Sequence, residues 1–118
     1  MPHLDAAIVA LVYSYHYSDN TTVQRLTLDP YVFDVLMRHL TGHDRRPSAF
    51  LVYLMLWWKE ARGETMALSL QQLADATGLS KSAVQDALRL LTRRQLVRAR
   101  RHSPTAVPEY VLLRPWMR

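Results

Sequence analysis

The stretch from Ser69 to Leu113 constrains the fold more than any other part of the chain. Ser69 and Gln72 have the spacing of a capping box. In such a box the serine hydroxyl accepts a hydrogen bond from the backbone amide three residues on, and the glutamine side chain reaches back to the serine amide. Gly78 then permits a left-handed backbone that ends the helix. The pattern predicts a short helix followed by a tight turn.

A second, amphipathic helix is predicted after this turn. Either Ser80 or Ser82 can cap it, because a serine side chain accepts hydrogen bonds from the free amides at a helix start. One face is apolar and is expected to be buried; it carries Val84, Ala87, Leu88 and Leu91. The opposite face is polar and partly basic; it carries Ser82, Asp86, Arg89 and Arg93, with Lys81 and Gln85 on its flanks.

Two short strands are predicted after the second helix. The segments Leu96 to His102, LVRARRH, and Glu109 to Leu113, EYVLL, are rich in residues that favour strands. Between them lies a turn-rich segment, Ser103 to Pro108. The predicted order is therefore helix, turn, helix, strand, turn, strand.

This order resembles the winged helix-turn-helix of DNA-binding proteins. The small, turn and buried positions of that motif are matched by Ala74, Gly78 and Val84. The segment LSKSAVQDALRLLTRRQLV is similar to the recognition helix and first wing strand of bacterial regulators of the GntR and MarR families. It is also similar to the winged helices of plasmid and phage replication proteins. The resemblance implies a mainly α fold with a small β-hairpin wing, preceded here by an N-terminal extension.

The resemblance also implies which residues contact DNA. In winged-helix proteins the second helix of the motif enters the major groove, and its N-terminal residues reach the base edges. We expect Val97 and Ala99 to face the core. Because strand side chains alternate, Arg98 and Arg100 would then point outward, towards the minor groove or flanking phosphates. The expected contact residues are Ser80, Lys81, Ser82 and Gln85 at base edges, Arg89 and Arg93 at phosphates, and Arg98, Arg100, Arg101 and His102 in the wing.

The charge of the chain is distributed unevenly. Residues 1–61 carry 5 Lys+Arg against 6 Asp+Glu, whereas residues 62–118 carry 10 against 4, which together give the net charge of +5. The basic half is the half with the predicted helix-turn-helix, as expected for binding a phosphate backbone. Charge alone also fits a solvated surface that keeps the protein in solution. Asp86 can pair with Arg89 one turn away, which would weaken the basic face.

Residues 1–46 are predicted to be an extension used for packing or dimerisation. Residues 4–17 include a continuous apolar run, which fits either a helix or a buried strand. We favour a pair of short strands over residues 4–28, with a first helix as the alternative. Asp29-Pro30 is a typical helix start, and Gly42 is predicted to end the helix that follows.

Residues 47–118 are predicted to be the winged domain, whose first helix Pro47 opens and Gly63 ends. This helix is apolar on nearly every side, and such a helix must be covered on every side. One face should pack on the helix-turn-helix, and residues 1–42 or a second subunit should cover the other. We therefore expect a homodimer formed through the N-terminal half. The alternative is that the N-terminal residues complete a monomeric core.

Other classes of function find little support in the sequence. The 118 residues include no cysteine and only three scattered glycines, which excludes thiolate sites and gives no phosphate-cradling loop. No arrangement of carboxylates or of Ser, His and Asp suggests an enzyme, and no cofactor is expected. His39 and His43 are four residues apart, but Gly42 is expected to break the helix between them, so no metal site is predicted.

The sequence predicts a small bacterial transcription regulator that binds double-stranded DNA in the cytoplasm. There is no secretory signal pattern, and the longest apolar run, Ala49 to Trp58, is far shorter than the roughly 20 residues that a membrane span requires. GntR proteins have an effector domain after the winged helix, whereas this chain ends shortly after its wing, so a small-molecule effector is not expected. The alternative is a winged helix used in replication initiation or protein–protein assembly.

Overall fold

The computed structural model describes residues 25–117 of the chain. Its elements are helix α1, which consists of two π-helical runs, Val32–Met37 and His39–His43; the α-helices α2 (Pro47–Ala61), α3 (Leu70–Thr77) and α4 (Lys81–Arg93); and the strands β1 (Val97–Arg100) and β2 (Glu109–Leu112). The strand pair predicted over residues 4–28 falls almost wholly outside the described residues. Within residues 25–117 no helix has the length and apolar character needed to span a bilayer.

Helix α1 begins after Asp29 and extends beyond Gly42. The backbone N–H of Val32 donates to the Asp29 carbonyl at 3.0 Å, as expected for a helix start at Asp-Pro. The prediction that Gly42 ends the helix was wrong, since the π-helical run His39–His43 includes it. The left-handed residue that ends the helix is Arg45, with a φ of 53°. A glycine inside a helix costs only about 1 kcal/mol relative to alanine, and the burial of α1 outweighs that cost.

Helix α2 is central to the core. It packs against α1, α3, α4 and β2, and its most extensive contact is with α4. The Tyr53 hydroxyl donates to the Leu113 carbonyl at 2.9 Å, and the Trp57 Nε1–H donates to the Thr27 carbonyl at 3.0 Å. Because these bonds satisfy both polar atoms, two large aromatic side chains are buried without an unpaired polar group. The start at Pro47 and the left-handed Gly63, with a φ of 69°, confirm the predicted ends of this helix.

The described residues leave one side of α2 uncovered. Leu51 is 46% exposed, and Phe33 on α1 is 45% exposed. Leu54, Met55 and Trp58 are partly exposed on the same helix. The expectation that α2 must be covered on every side is therefore not met within residues 25–117.

The helix-turn-helix has the local geometry that its sequence predicts. Ser69 and Gln72 form both bonds of the capping box, at 3.1 and 2.8 Å. Gly78 has a φ of 79°, which places it in the left-handed region and ends α3. Ser80 caps α4, because its hydroxyl accepts a hydrogen bond from the Ala83 N–H at 3.0 Å. The predicted apolar face of α4 is buried together with Leu90.

The wing is an antiparallel hairpin in which Val97 lies opposite Leu112 and Arg100 lies opposite Glu109. Both strands are shorter than predicted. Val97 is buried as expected, but Ala99 is exposed, so the prediction that both face the core was half wrong. Ala99 lies opposite the buried Tyr110, but its own side chain lines an open groove beside α4.

A cluster of aromatic side chains holds the C-terminal segment on the helices. Trp116 stacks on Tyr31 with 4.6 Å between ring centroids, and its Nε1–H donates to Asp29 Oδ2 at 3.0 Å. The Arg114 guanidinium lies over the Trp57 ring, 4.2 Å from its centroid, and pairs with Glu60 Oε1 at 2.6 Å. These contacts join α1, α2 and the segment after β2 into one unit.

The capping role of Ser80 can be tested against its neighbour Ser82. We expect Ser80→Ala to lower the free energy of unfolding by about 1 kcal/mol, because the Ala83 amide loses its acceptor. Ser82→Ala removes the same hydroxyl from an exposed position of the same helix and is expected to change it by no more than about 0.5 kcal/mol. Urea denaturation followed by circular dichroism measures both. Equal effects of the two substitutions would contradict this assignment.

Candidate nucleic-acid interface

The N-terminal half of α4 exposes polar side chains that have no other role in the described structure. Lys81, Ser82 and Gln85 are exposed, and among residues 25–117 none of their side chains forms a hydrogen bond or an ion pair. Ser80 differs, because its hydroxyl already accepts the capping bond. It retains its own proton as a donor. These four residues lie where the sequence predicted them, at the exposed start of the helix.

Asp86 restrains the basic character of this face. One carboxylate oxygen lies 3.6 Å from Arg46 Nη1 and the other lies 3.5 Å from Arg89 Nη1. The predicted pairing of Asp86 with Arg89 is therefore confirmed. All three groups are largely exposed, and exposed pairs of this kind contribute about 0–1 kcal/mol. Arg89 can leave Asp86 for a stronger anionic partner at little cost.

An open groove with a volume of about 670 Å³ runs between α4 and the wing. Its apolar lining includes Leu88, Ala99, Val107 and Tyr110. The cationic residues that line it are Arg89, Arg93 and Arg101. Two arginines from the helix and one from the wing thus line the same groove.

The two faces of the wing carry different arginines. Arg101 lines the groove, and its Nη1 donates to the Ala106 carbonyl at 3.1 Å, which holds the side chain near the turn of the hairpin. Arg98 and Arg100 alternate with Ala99 and therefore belong to the opposite face. Arg100 lies 3.6 Å from Glu109 across the strand pair. His102 is exposed beyond β1 and does not line the groove.

Tyr110 reports the electrostatic environment of the groove. Burial raises the pKa of its phenol above the ordinary value, whereas the Arg101 guanidinium lowers it. The opposing influence of Arg101 agrees with its position on the groove face of the hairpin.

Sequence reasoning missed several residues of the groove. Thr92 lines it together with Gln85, Leu88 and Arg89, at the spacing of three and four residues that places side chains on one helix face. That spacing could have identified Thr92. No sequence signal indicates Thr105, because the position of the wing turn over the helix depends on tertiary packing.

One comparison with known proteins bears on this arrangement. Residues 51–106, from within α2 to the turn of the wing, match the family model described as MarR family. The match supports a winged helix-turn-helix of the DNA-binding kind. The MarR family comprises winged-helix DNA-binding transcription regulators, so the predicted fold class and the general class of function are confirmed. No curated protein and no solved structure is significantly similar to the chain.

The match to the MarR family ends at the wing turn and begins inside α2. Residues 1–50 lie outside it. The division of the chain at residue 47 into an extension and a winged domain therefore stays a prediction.

The position of Arg101 on the wing can be tested through Tyr110. Tyrosine labelled with ¹³C at Cζ gives one resonance per side chain, and Tyr110→Phe identifies the resonance of Tyr110. We expect this resonance to titrate at a pH above the ordinary tyrosine pKa of 10.0. Arg101→Gln removes a cation that favours the phenolate and should raise this pKa further. Arg100→Gln, the matched control on the opposite face, should leave it unchanged. A larger shift with Arg100→Gln would reverse the assignment of the two faces.

Proposed function

We propose that the protein is a sequence-specific regulator of transcription that inserts α4 into the major groove of double-stranded DNA and places its wing on the flanking groove or phosphates. One observation carries the proposal: the exposed start of α4 adjoins a groove that Arg89, Arg93 and Arg101 line. Backbone phosphates supply the negative charge that such a cluster requires.

The start of α4 would read base edges. Gln85 can pair with adenine through two hydrogen bonds, Lys81 can donate to the guanine acceptors, and Ser82 can pair with either base. Ser80 can donate to a base edge or a phosphate while it caps the helix. Because Lys81, Ser82 and Gln85 have no partner within residues 25–117, no described contact has to break before they bind.

The arginines would position the domain. The groove is lined on one side by Arg89 and Arg93 of α4 and on the other by Arg101 of the wing, as expected if one phosphate backbone lies along it. Such contacts fix register and orientation but do not read sequence. The flanking groove or its phosphates would be contacted by Arg98 and Arg100 on the other face of the hairpin and by His102 near the turn.

The regulator would act as a homodimer formed through its N-terminal half. The apolar side chains that α1 and α2 leave exposed, Phe33 and Leu51 among them, support this assignment. MarR-family proteins typically bind DNA as dimers. Two copies would present two α4 helices to two half-sites of one operator.

The phosphate contacts are tested by fluorescence anisotropy with a labelled random-sequence duplex over a series of salt concentrations. Arg101→Ala is expected to weaken binding at low salt and to lower the slope of log K against log salt by about 1, because one phosphate contact is lost. Arg38→Ala removes an exposed arginine from α1 and serves as the control with unchanged slope.

The base contacts are tested with a duplex selected from a random library by the unaltered protein. Gln85→Ala should bind that duplex more weakly by about 1–3 kcal/mol while its affinity for random duplex stays the same. No binding of duplex DNA at low salt, or equal effects of Arg101→Ala and Arg38→Ala, would refute the proposal. Either result would favour the use of this winged helix in protein–protein assembly.

A further inference from the structure

Three potential metal ligands converge where α1 ends. The His39 and His43 rings stack with 4.7 Å between centroids and 16° between planes. His39 Nε2 lies 3.8 Å from Asp44 Oδ2, and His43 Nδ1 lies 3.2 Å from Asp44 Oδ1. One donor atom from each of the three residues lies within 4.8 Å of the other two. None of the three residues lines the groove between α4 and the wing.

The backbone of α1 brings these residues together. The helix continues through Gly42, so His39 and His43 stay on one face, contrary to the predicted break between them. The Asp44 N–H donates to the His39 carbonyl at 2.8 Å, which places its side chain beside both rings. This five-residue hydrogen-bond spacing is rare in proteins and occurs frequently at functional sites. The C-terminal end of a helix also favours a cation.

The burial of the cluster suits an ion that enters from solvent. The Asp44 side chain is 6% exposed, whereas those of His39 and His43 are 43% and 68% exposed. A buried carboxylate thus forms the base of the site and two accessible imidazoles form its mouth. Two imidazoles and one carboxylate are a donor set for Zn²⁺ and neighbouring first-row divalent ions rather than for Mg²⁺ or Ca²⁺, which prefer oxygen alone.

We propose that His39, His43 and Asp44 bind a divalent transition-metal ion of the zinc class, with the fourth coordination position open to water. Ligand bonds of about 2.0–2.1 Å to a tetrahedral ion bring the donor atoms to roughly 3.3 Å from one another. The 3.2 Å between His43 Nδ1 and Asp44 Oδ1 already matches this value, whereas the 3.8 Å between His39 Nε2 and Asp44 Oδ2 exceeds it. Ion binding therefore requires the exposed His39 imidazole to rotate towards the carboxylate.

Arg94 gives this site a specific competitor. Its Nε donates to Asp44 Oδ2 at 3.2 Å and its Nη2 donates to Asp44 Oδ1. This guanidinium lowers the pKa of Asp44, so the carboxylate is charged and ready to act as a ligand. Each carboxylate oxygen has a second lone pair for the ion, but two cations on one carboxylate repel each other. Arg94 follows directly after α4, so the site is joined to the end of that helix.

Isothermal titration of Zn²⁺ into the full chain tests the proposal without DNA, so its outcome is independent of the proposed function. We expect one ion per chain, and no comparable binding of Mg²⁺. His39→Ala and His43→Ala should each weaken Zn²⁺ binding by at least about tenfold, since even outer-shell changes have effects of that size. His102→Ala removes an exposed histidine of the wing and is the matched control with unchanged affinity.

The Zn²⁺ affinity of Arg94→Met tests whether Asp44 is a ligand, because a site formed by the two histidines alone would not respond to this substitution. Loss of the competing guanidinium should tighten Zn²⁺ binding severalfold, and circular dichroism confirms that each variant is folded. Absence of Zn²⁺ binding, or unchanged affinity in both His39→Ala and His43→Ala, would overturn the site. Unchanged affinity in folded Arg94→Met would remove Asp44 from the ligand set and overturn it equally.

Discussion

The packing of α2 against α4 is the constraint on which the rest of the structure depends. Val52 and Leu56 of α2 belong to the same buried core as Val84 and Leu91 of α4, and all four are fully buried. A helix turns about 100° per residue, so a core that fixes this face also fixes the opposite one. Any rotation of α4 that hid Arg89 would move its charge out of water at a cost of several kcal/mol. The exposed polar face is thus a consequence of the core.

The features that the sequence predicted are those set by neighbouring residues. The capping box at Ser69, the left-handed turn at Gly78 and the buried face of α4 each depend on residues within about four positions of one another. The wing was predicted for the same reason, because two segments suited to strands are separated by a turn-forming one. The match of residues 51–106 to the MarR family covers most of this locally determined part.

The features that the sequence did not reveal depend on contacts between distant residues. Arg94 pairs with Asp44, 50 positions earlier, and no spacing rule predicts such a pair. The same applies to the groove between α4 and the wing, which Arg101 lines together with Arg89 and Arg93. The prediction of a helix end at Gly42 was wrong because glycine often ends helices, whereas the burial of Val32, Leu36 and Leu40 stabilises α1 through this position. Tertiary packing overrode a local preference of about 1 kcal/mol.

The orientation of α4 is tested most directly by mapping a bound duplex on the protein with ¹⁵N chemical-shift perturbation. When duplex DNA is added at low salt, we expect the largest shifts on the amides of residues 80–93 and on those of the wing turn at residues 101–107. The amides beside the exposed apolar side chains of α2, Leu51 and Met55, should show small shifts. Perturbations concentrated on α2, with the start of α4 unaffected, would contradict the account.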